Sequence, residues 1–297
     1  MTRAKRIAIW TGVALLLAAA AWAGLTLTVS AVAEVKVKEF FAGMQDVVRA
    51  EYGSVRVNPL TLSATIDDLR MEVVGGVRLS VDEFTLSRYE VRDGLPRAVS
   101  VRCEGVRIPL GSGPLAGFAP GLLAMGYDVL ALDYAMDFDY DPGSRRFCLD
   151  DLRLKVRDAG ELGMRLKLGN VDLGALLKGG PGALFFAVER GELRYVDDSF
   201  FRRVLEALAR DENAEPGEVA ETLVQGLGQR RDDAEKLGDA VSARAFGTLA
   251  SFVRQPSALT VRVEPAEPVA LVRLTAMRDP AEVLRALNLS VRTDEEN

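Results

Sequence analysis

The chain has 297 residues, 48% hydrophobic and 27% charged, with a net charge of −6, which is room for one large domain or two small ones. It contains no histidine and only two cysteines. That excludes Ser-His-Asp and Cys-His nucleophile activation, the two-His zinc hydrolase motif, a Cys-only zinc site and a disulfide scaffold.

Arg3, Lys5 and Arg6 precede an uncharged run from Ile7 to Ala33. At about 1.5 Å per residue this run exceeds the roughly 30 Å hydrocarbon core, so residues 1–33 read as a transmembrane anchor with a cytoplasmic N-terminus and an exported body. Ala21-Trp22-Ala23 and Ala31-Val32-Ala33 look like small-x-small cleavage sites, so a cleaved signal peptide is the alternative. The remainder of the chain is acidic and has no basic block, which argues against nucleic acid as partner.

Residues 34–53 are expected as an amphipathic linker helix, with Phe40, Met44, Val47 and Val48 on one stripe and Gly53 ending it. Residues 54–198 switch to period two. Val55 and Val57, Leu62 to Ile66, Leu69 to Val73, Val77 to Val81, and Val99 to Ile108 each alternate apolar with polar. A short pattern recurs in them: Ile66-Asp67-Asp68-Leu69-Arg70-Met71, Val81-Asp82-Glu83-Phe84-Thr85-Leu86, and Leu149-Asp150-Asp151-Leu152-Arg153-Leu154, with looser copies at Cys103–Ile108 and Leu168–Leu173. Two consecutive polar residues flip the parity, which predicts a bulge or corner that keeps apolar side chains on one side.

The clearest strand is Leu130 to Tyr140, followed by a turn at Asp141-Pro142-Gly143-Ser144 and a return from Phe147 to Val156. Tyr134, Phe138 and Tyr140 alone present roughly 450–750 Å² of ring surface. A soluble monomer rarely leaves more than a few hundred contiguous apolar Å² open, so helices, a lipid or a partner must cover this face. The candidate lining of an apolar groove is Leu130, Leu132, Tyr134, Met136, Phe138, Leu152, Leu154, Leu166 and Leu168, with ordinary core packing as the competing reading. Asp137-x-Asp139-x-Asp141 resembles the start of a calcium loop. Pro142 and Cys148 stand where such a loop needs Gly and Glu, so a solvated strand face is preferred. No cofactor, metal or catalytic residue is expected. Cys103 and Cys148 are read as separate buried thiols rather than a disulfide.

Leu110 to Gly126 reads as a loop with one helical turn at 121–125. Leu162 to Leu168 reads as a strand, and Phe185–Val188 with Leu193–Val196 as a hairpin around Arg190-Gly191. Residues 199–254 turn helical: Ser199 is a candidate N-cap, Glu215-Pro216 opens a second helix, and a third runs from about Asp232 to Val253. Residues 255–292 return as strands with a short helix after Asp279-Pro280, and 293–297 form a polar tail. The expected fold class is α+β: an N-terminal transmembrane helix, then a long curled, mostly antiparallel β-sheet with a helical insertion or cap.

The basic N-terminus, the apolar run, the segment ending Glu51-Tyr52-Gly53, then Ser54-Val55-Arg56-Val57 and strands with Leu-x-Leu rungs, resemble the AsmA-like proteins of the bacterial envelope. The likeness covers Met1 to about Leu110 and, more faintly, Tyr127 to Leu173. It implies a single-pass inner-membrane anchor through residues 7–33, a periplasmic body with an apolar inner groove, and a role in phospholipid traffic or envelope homeostasis. The short chain and the helical block at 199–254 depart from it. The function expected is therefore non-enzymatic binding or transfer of membrane lipid. The alternative is an anchored interaction or assembly module with a closed β core and an envelope protein partner.

Overall fold

The structure, a computed structural model, describes residues 48–61, 63–73, 77–110, 117, 119–177, 185–277 and 279–294. The anchor expected at residues 1–33, and residues 34–47 of the expected linker helix, lie outside them.

The chain opens with β1 (Val48–Glu51), β2 (Ser54–Asn58), β3 (Ser63–Val73), β4 (Val77–Arg92) and β5 (Leu95–Pro109). A short helix α1 (Ala119–Ala124) leads into β6 (Val129–Asp141), β7 (Arg146–Val156) and β8 (Gly160–Gly169). Then come α2 (Leu173–Leu177), β9 (Ala187–Asp197), α3 (Phe200–Glu212), α4 (Pro216–Lys236) and α5 (Ala240–Arg254). The chain ends with β10 (Ala258–Val263), β11 (Val269–Ala270), α6 (Leu271–Ala276), α7 (Pro280–Ala286) and β12 (Leu289–Thr293). All twelve strands join one antiparallel sheet in the order β1-β3-β4-β5-β6-β7-β8-β9-β10-β12, with β2 also on β3 and β11 also on β9.

This corrects the expected α+β class with an N-terminal transmembrane helix. The fold is mainly one large antiparallel sheet with few helices, and no helix among the described residues is long and apolar enough to cross a membrane. Strand pairing absorbs nearly every alternating segment. The helices do not build a layer over the sheet: α3, α4 and α5 pack on one another, and α5 rests on β12. Residues 48–51, the end of the expected linker helix, are a strand, because Val48 to Glu51 pair antiparallel with Val73 to Arg70.

The recurring acidic corners do re-aim the strands. Asp68 adopts the left-handed region (φ 52°), and Ile66 pairs with Phe84 while Leu69 pairs with Val81 across it. At the corner in β5 the register slips by one between Cys103 and Val106, around Gly105 (φ 64°). In β7 it slips at Asp150, between the Asp137–Asp151 and Phe138–Leu149 pairs. Each slip is one extra residue, and one residue is what restores apolar side chains to the same side.

Three local expectations move. Arg190-Gly191 is not a turn, since β9 runs straight through it. A Cβ on Gly191 would sit 3.3 Å from Leu166 Cδ1, so Gly191 leaves room for a neighbouring leucine. The third helix does not start at Asp232: α4 runs to Lys236, Gly238 (φ 71°) breaks it, and Asp239 caps α5 by accepting from Ser242 N. At α3 it is Asp197 Oδ1, rather than Ser199, that accepts a helical N–H, from Phe201 at 2.8 Å. The Ser199 hydroxyl donates to Asp158 O instead.

Candidate functional site: a continuous apolar face

Cross-strand partners in a sheet point to the same side, so the register maps the face. One row runs Val57, Ala64, Leu86, Val101, Met136, Leu152, Met164, Leu193, Val261 and Val291, apolar across ten strands without a break. The next row includes Ile66, Phe84, Cys103, Tyr134, Leu154, Leu162, Tyr195 and Leu259. All nine predicted lining residues fall on this side. Leu130 pairs with Ile108, Leu132 with Val106, Phe138 with Leu149, Leu166 with Leu149, and Leu168 with Phe147.

Burial along the rows is uneven. At the β2–β5 end Val55, Ile66, Leu69, Val81 and Val106 form a buried cluster. At the far end α5 covers β12, where Val291 is buried, and Phe252 of α5 stacks edge-on against Tyr195. A third cluster of Leu110, Ala119, Tyr127 and Ala159, with Leu122 and Met125 beside Leu130 and Val156, closes one strand end of β6 and β7. Between these lids the nine residues are all half-buried. Phe138 and Phe147 make a tilted ring pair at 5.2 Å, and Tyr134 Oη donates only to Met136 Sδ. The helices do not seal this middle stretch.

The opposite side is charged. Arg56 pairs with Asp67 and Glu83, Arg107 with Asp82, Arg153 with Asp151, and Arg262 with Glu192. Such exposed pairs contribute little singly, but they keep one side wet. Open grooves of about 270, 590 and 370 Å³ lie on this charged side, and of the nine predicted residues only Tyr134 borders one of them. Among the described residues the apolar side is a half-buried surface.

The aspartates resolve into structural roles. Arg88 donates to Asp137 at 2.8 Å and to Asp139 at 2.9 Å. Asp141 accepts from Gly143 N, Ser144 N and the Ser144 hydroxyl, which fixes the hairpin turn. Asp150, one of the acidic corner pair read from sequence as a solvated face, joins Asp137 and Asp139 in one acidic group. Only the pairing of β6 with β7 brings it there, and sequence spacing gave no signal of it. Arg88 already supplies the cation.

Cys103 faces Tyr134 on the apolar side, whereas Cys148 pairs with Asp139 on the charged side. Both are free thiols, and their placement on opposite sides precludes a bridge. Burial pushes the Cys103 thiol up to about 11. At pH 8 its thiolate is then scarcer than that of an ordinary cysteine by roughly two orders of magnitude. Iodoacetamide labelling followed by peptide mass spectrometry should modify Cys103 far more slowly than a cysteine peptide. Equal rates would show that the Cys103 thiol itself is not buried.

Residues 153–294, from β7 to the end of β12, match a family model described only as "Uncharacterized protein". No curated protein matches the chain. The matched stretch joins β7–β9, the helices and the returning strands in one unit, and it carries nothing toward the AsmA-like resemblance.

Proposed function

We propose that the protein is a non-enzymatic lipid-binding protein of the bacterial envelope, holding acyl chains against the middle of its apolar face. One observation carries this reading: the ten-strand apolar row is unbroken, yet every member of it except Val291 is only half-buried. Half-open rings and leucines in water are unfavourable by about 25 cal/mol per Å² of apolar surface, and a hydrocarbon chain laid along them removes that penalty. The half-open stretch is lined mainly by leucine, methionine and aromatic side chains and carries no charge, so the contact is with the chain and is indifferent to lipid class. The location rests on the pattern of residues 1–33 alone.

The test is native mass spectrometry and lipid extraction of the full chain purified from membranes. Wild type should carry lipid. Met136→Glu combined with Leu152→Glu should lower its lipid content roughly tenfold or more, because a carboxylate strands water on the face. Arg102→Gln on the charged side should change nothing. A lipid-free wild type, or a double variant as loaded as wild type, rules the reading out and favours an interaction module.

A further inference from the structure

The groove of about 590 Å³ on the charged side lies at the β1 edge of the sheet, across the ends of β1, β3, β4, β5 and β6. Four arginines line it, Arg49, Arg70, Arg78 and Arg107, against two carboxylates, Glu51 and Glu72. Arg107 is held by both Asp82 oxygens at 2.7 Å, and Arg78 reaches Glu72 at 3.5 Å. Arg49 and Arg70 make no ion pair among the described residues. Glu72, across from Arg49 in the register, is drawn toward Arg78 instead. Counting Asp82, four arginines meet three carboxylates, and Glu51 lies across from Arg70 in the register, so the groove keeps one net positive charge on a chain whose net charge is −6.

Register places Arg49 and Arg70 as diagonal neighbours on adjacent strands, roughly 7–8 Å apart at the backbone. Two arginine side chains from that spacing can fork onto a single phosphate. Two and three strands from Arg70 across the groove, Pro109 of β5 and the exposed Val129 of β6 form an apolar ledge. A free phosphate has no use for such a ledge, whereas the glycerol and first methylenes next to a phosphodiester do.

We propose that this groove is a binding site for the anionic headgroup of a membrane phospholipid, with Arg49 and Arg70 as its phosphate ligands. It lies on the side of the sheet opposite the acyl-binding surface and stands independently of that reading. Two exposed arginine contacts at about 1 kcal/mol each correspond to a headgroup preference of roughly tenfold to thirtyfold, weakened by salt.

The experiment titrates the full chain in non-ionic detergent with dihexanoyl-phosphatidylglycerol or dihexanoyl-phosphatidylcholine and reads bound lipid by native mass spectrometry. Uptake on the apolar side adds equally to both lipids, so the ratio isolates the groove. Wild type should prefer phosphatidylglycerol, and Arg194→Gln at the far end of the sheet should keep that preference. Arg49→Gln with Arg70→Gln should abolish it, and Arg70→Gln alone, which leaves β1 intact, should reduce it. Equal binding of the two lipids by wild type overturns the proposal, as does a retained preference in the double variant. Displacement of phosphatidylglycerol by equimolar inorganic phosphate also overturns it, since the site then takes soluble anions.

Discussion

Gly105→Val should lower the melting temperature by roughly 6–12 °C, corresponding to about 3 kcal/mol or more. Gly105 sits at the bulge in β5 with φ 64°, a backbone conformation that a β-branched residue adopts only under strain. A Cβ there would lie 2.1 Å from Asp82 Oδ2 and 2.9 Å from Asp82 Cβ. The exposed Asp82 carboxylate can rotate away from Arg107 at little cost, but Asp82 Cβ cannot move without shifting the β4 backbone. The Gly105 N–H is itself satisfied by Asp133 Oδ1 at 2.8 Å, and moving the bulge breaks that bond too. Flattening the bulge instead would slip β5 by one residue and turn Val99, Val101 and Cys103 toward water. Thermal unfolding followed by circular dichroism checks this, and a Gly105→Val protein melting within about 2 °C of wild type would contradict it.

The second large effect is at the helix break. Asp239 is buried, its side chain 6% exposed, where α4 gives way to α5. Its carboxylate accepts from Ser242 N at 3.1 Å, from Ser242 Oγ at 2.8 Å and from Arg285 Nη1 at 2.6 Å. Burial alone raises its protonation range, but the bonds from Ser242 and Arg285 outweigh burial and hold the carboxyl below the usual carboxylate value. Asp239→Ala removes an N-cap worth about 1 kcal/mol and leaves the fully buried Ser242 hydroxyl without its partner, at about 1–3 kcal/mol more. Arg285 is half exposed, so water screens its share.

The pH dependence has a definite sign. A carboxyl whose folded range is depressed stabilises the fold fully above its unfolded value, near about 4, and loses that contribution as pH falls through the folded value. The stability gap between wild type and Asp239→Asn in urea should therefore be widest above about pH 5 and close toward about pH 2. A gap that stays constant over that range would show the carboxylate to be uncharged or unpaired in the fold.

Much of the sheet is legible in the alternation of residues 54–168 and 257–291, because each strand is wet on one side. The acidic corners are legible for the same reason: two polar residues in a row make no sense in a half-buried strand without a bulge. What the sequence misplaces is decided by partners distant in the chain. Val48–Glu51 continues a helical stripe until Val73–Arg70 pairs with it. Arg190-Gly191 looks like a turn until Leu166 is seen leaning over the glycine. The nine lining residues could be named from periodicity, but their continuity with Val57, Leu193 and Val261 could not, since it depends on every slip of register in between. The arginine groove was invisible for a similar reason: Arg49, Arg70, Arg78 and Arg107 meet only through three strand pairings.

From β3 to β9 every strand lies beside the one made just before it. A chain with this order can zip up progressively while it is being delivered, each new hairpin templated by the last, with little entropy lost to closing long loops. The longest connection leads to β10, which must bridge the 60 residues 198–257 to reach β9. Until that stitch forms, β9 is a growing end with unpaired amides. A chain stalled there would present a free strand to a second chain, whereas in the finished sheet α5 packs on the edge strand β12.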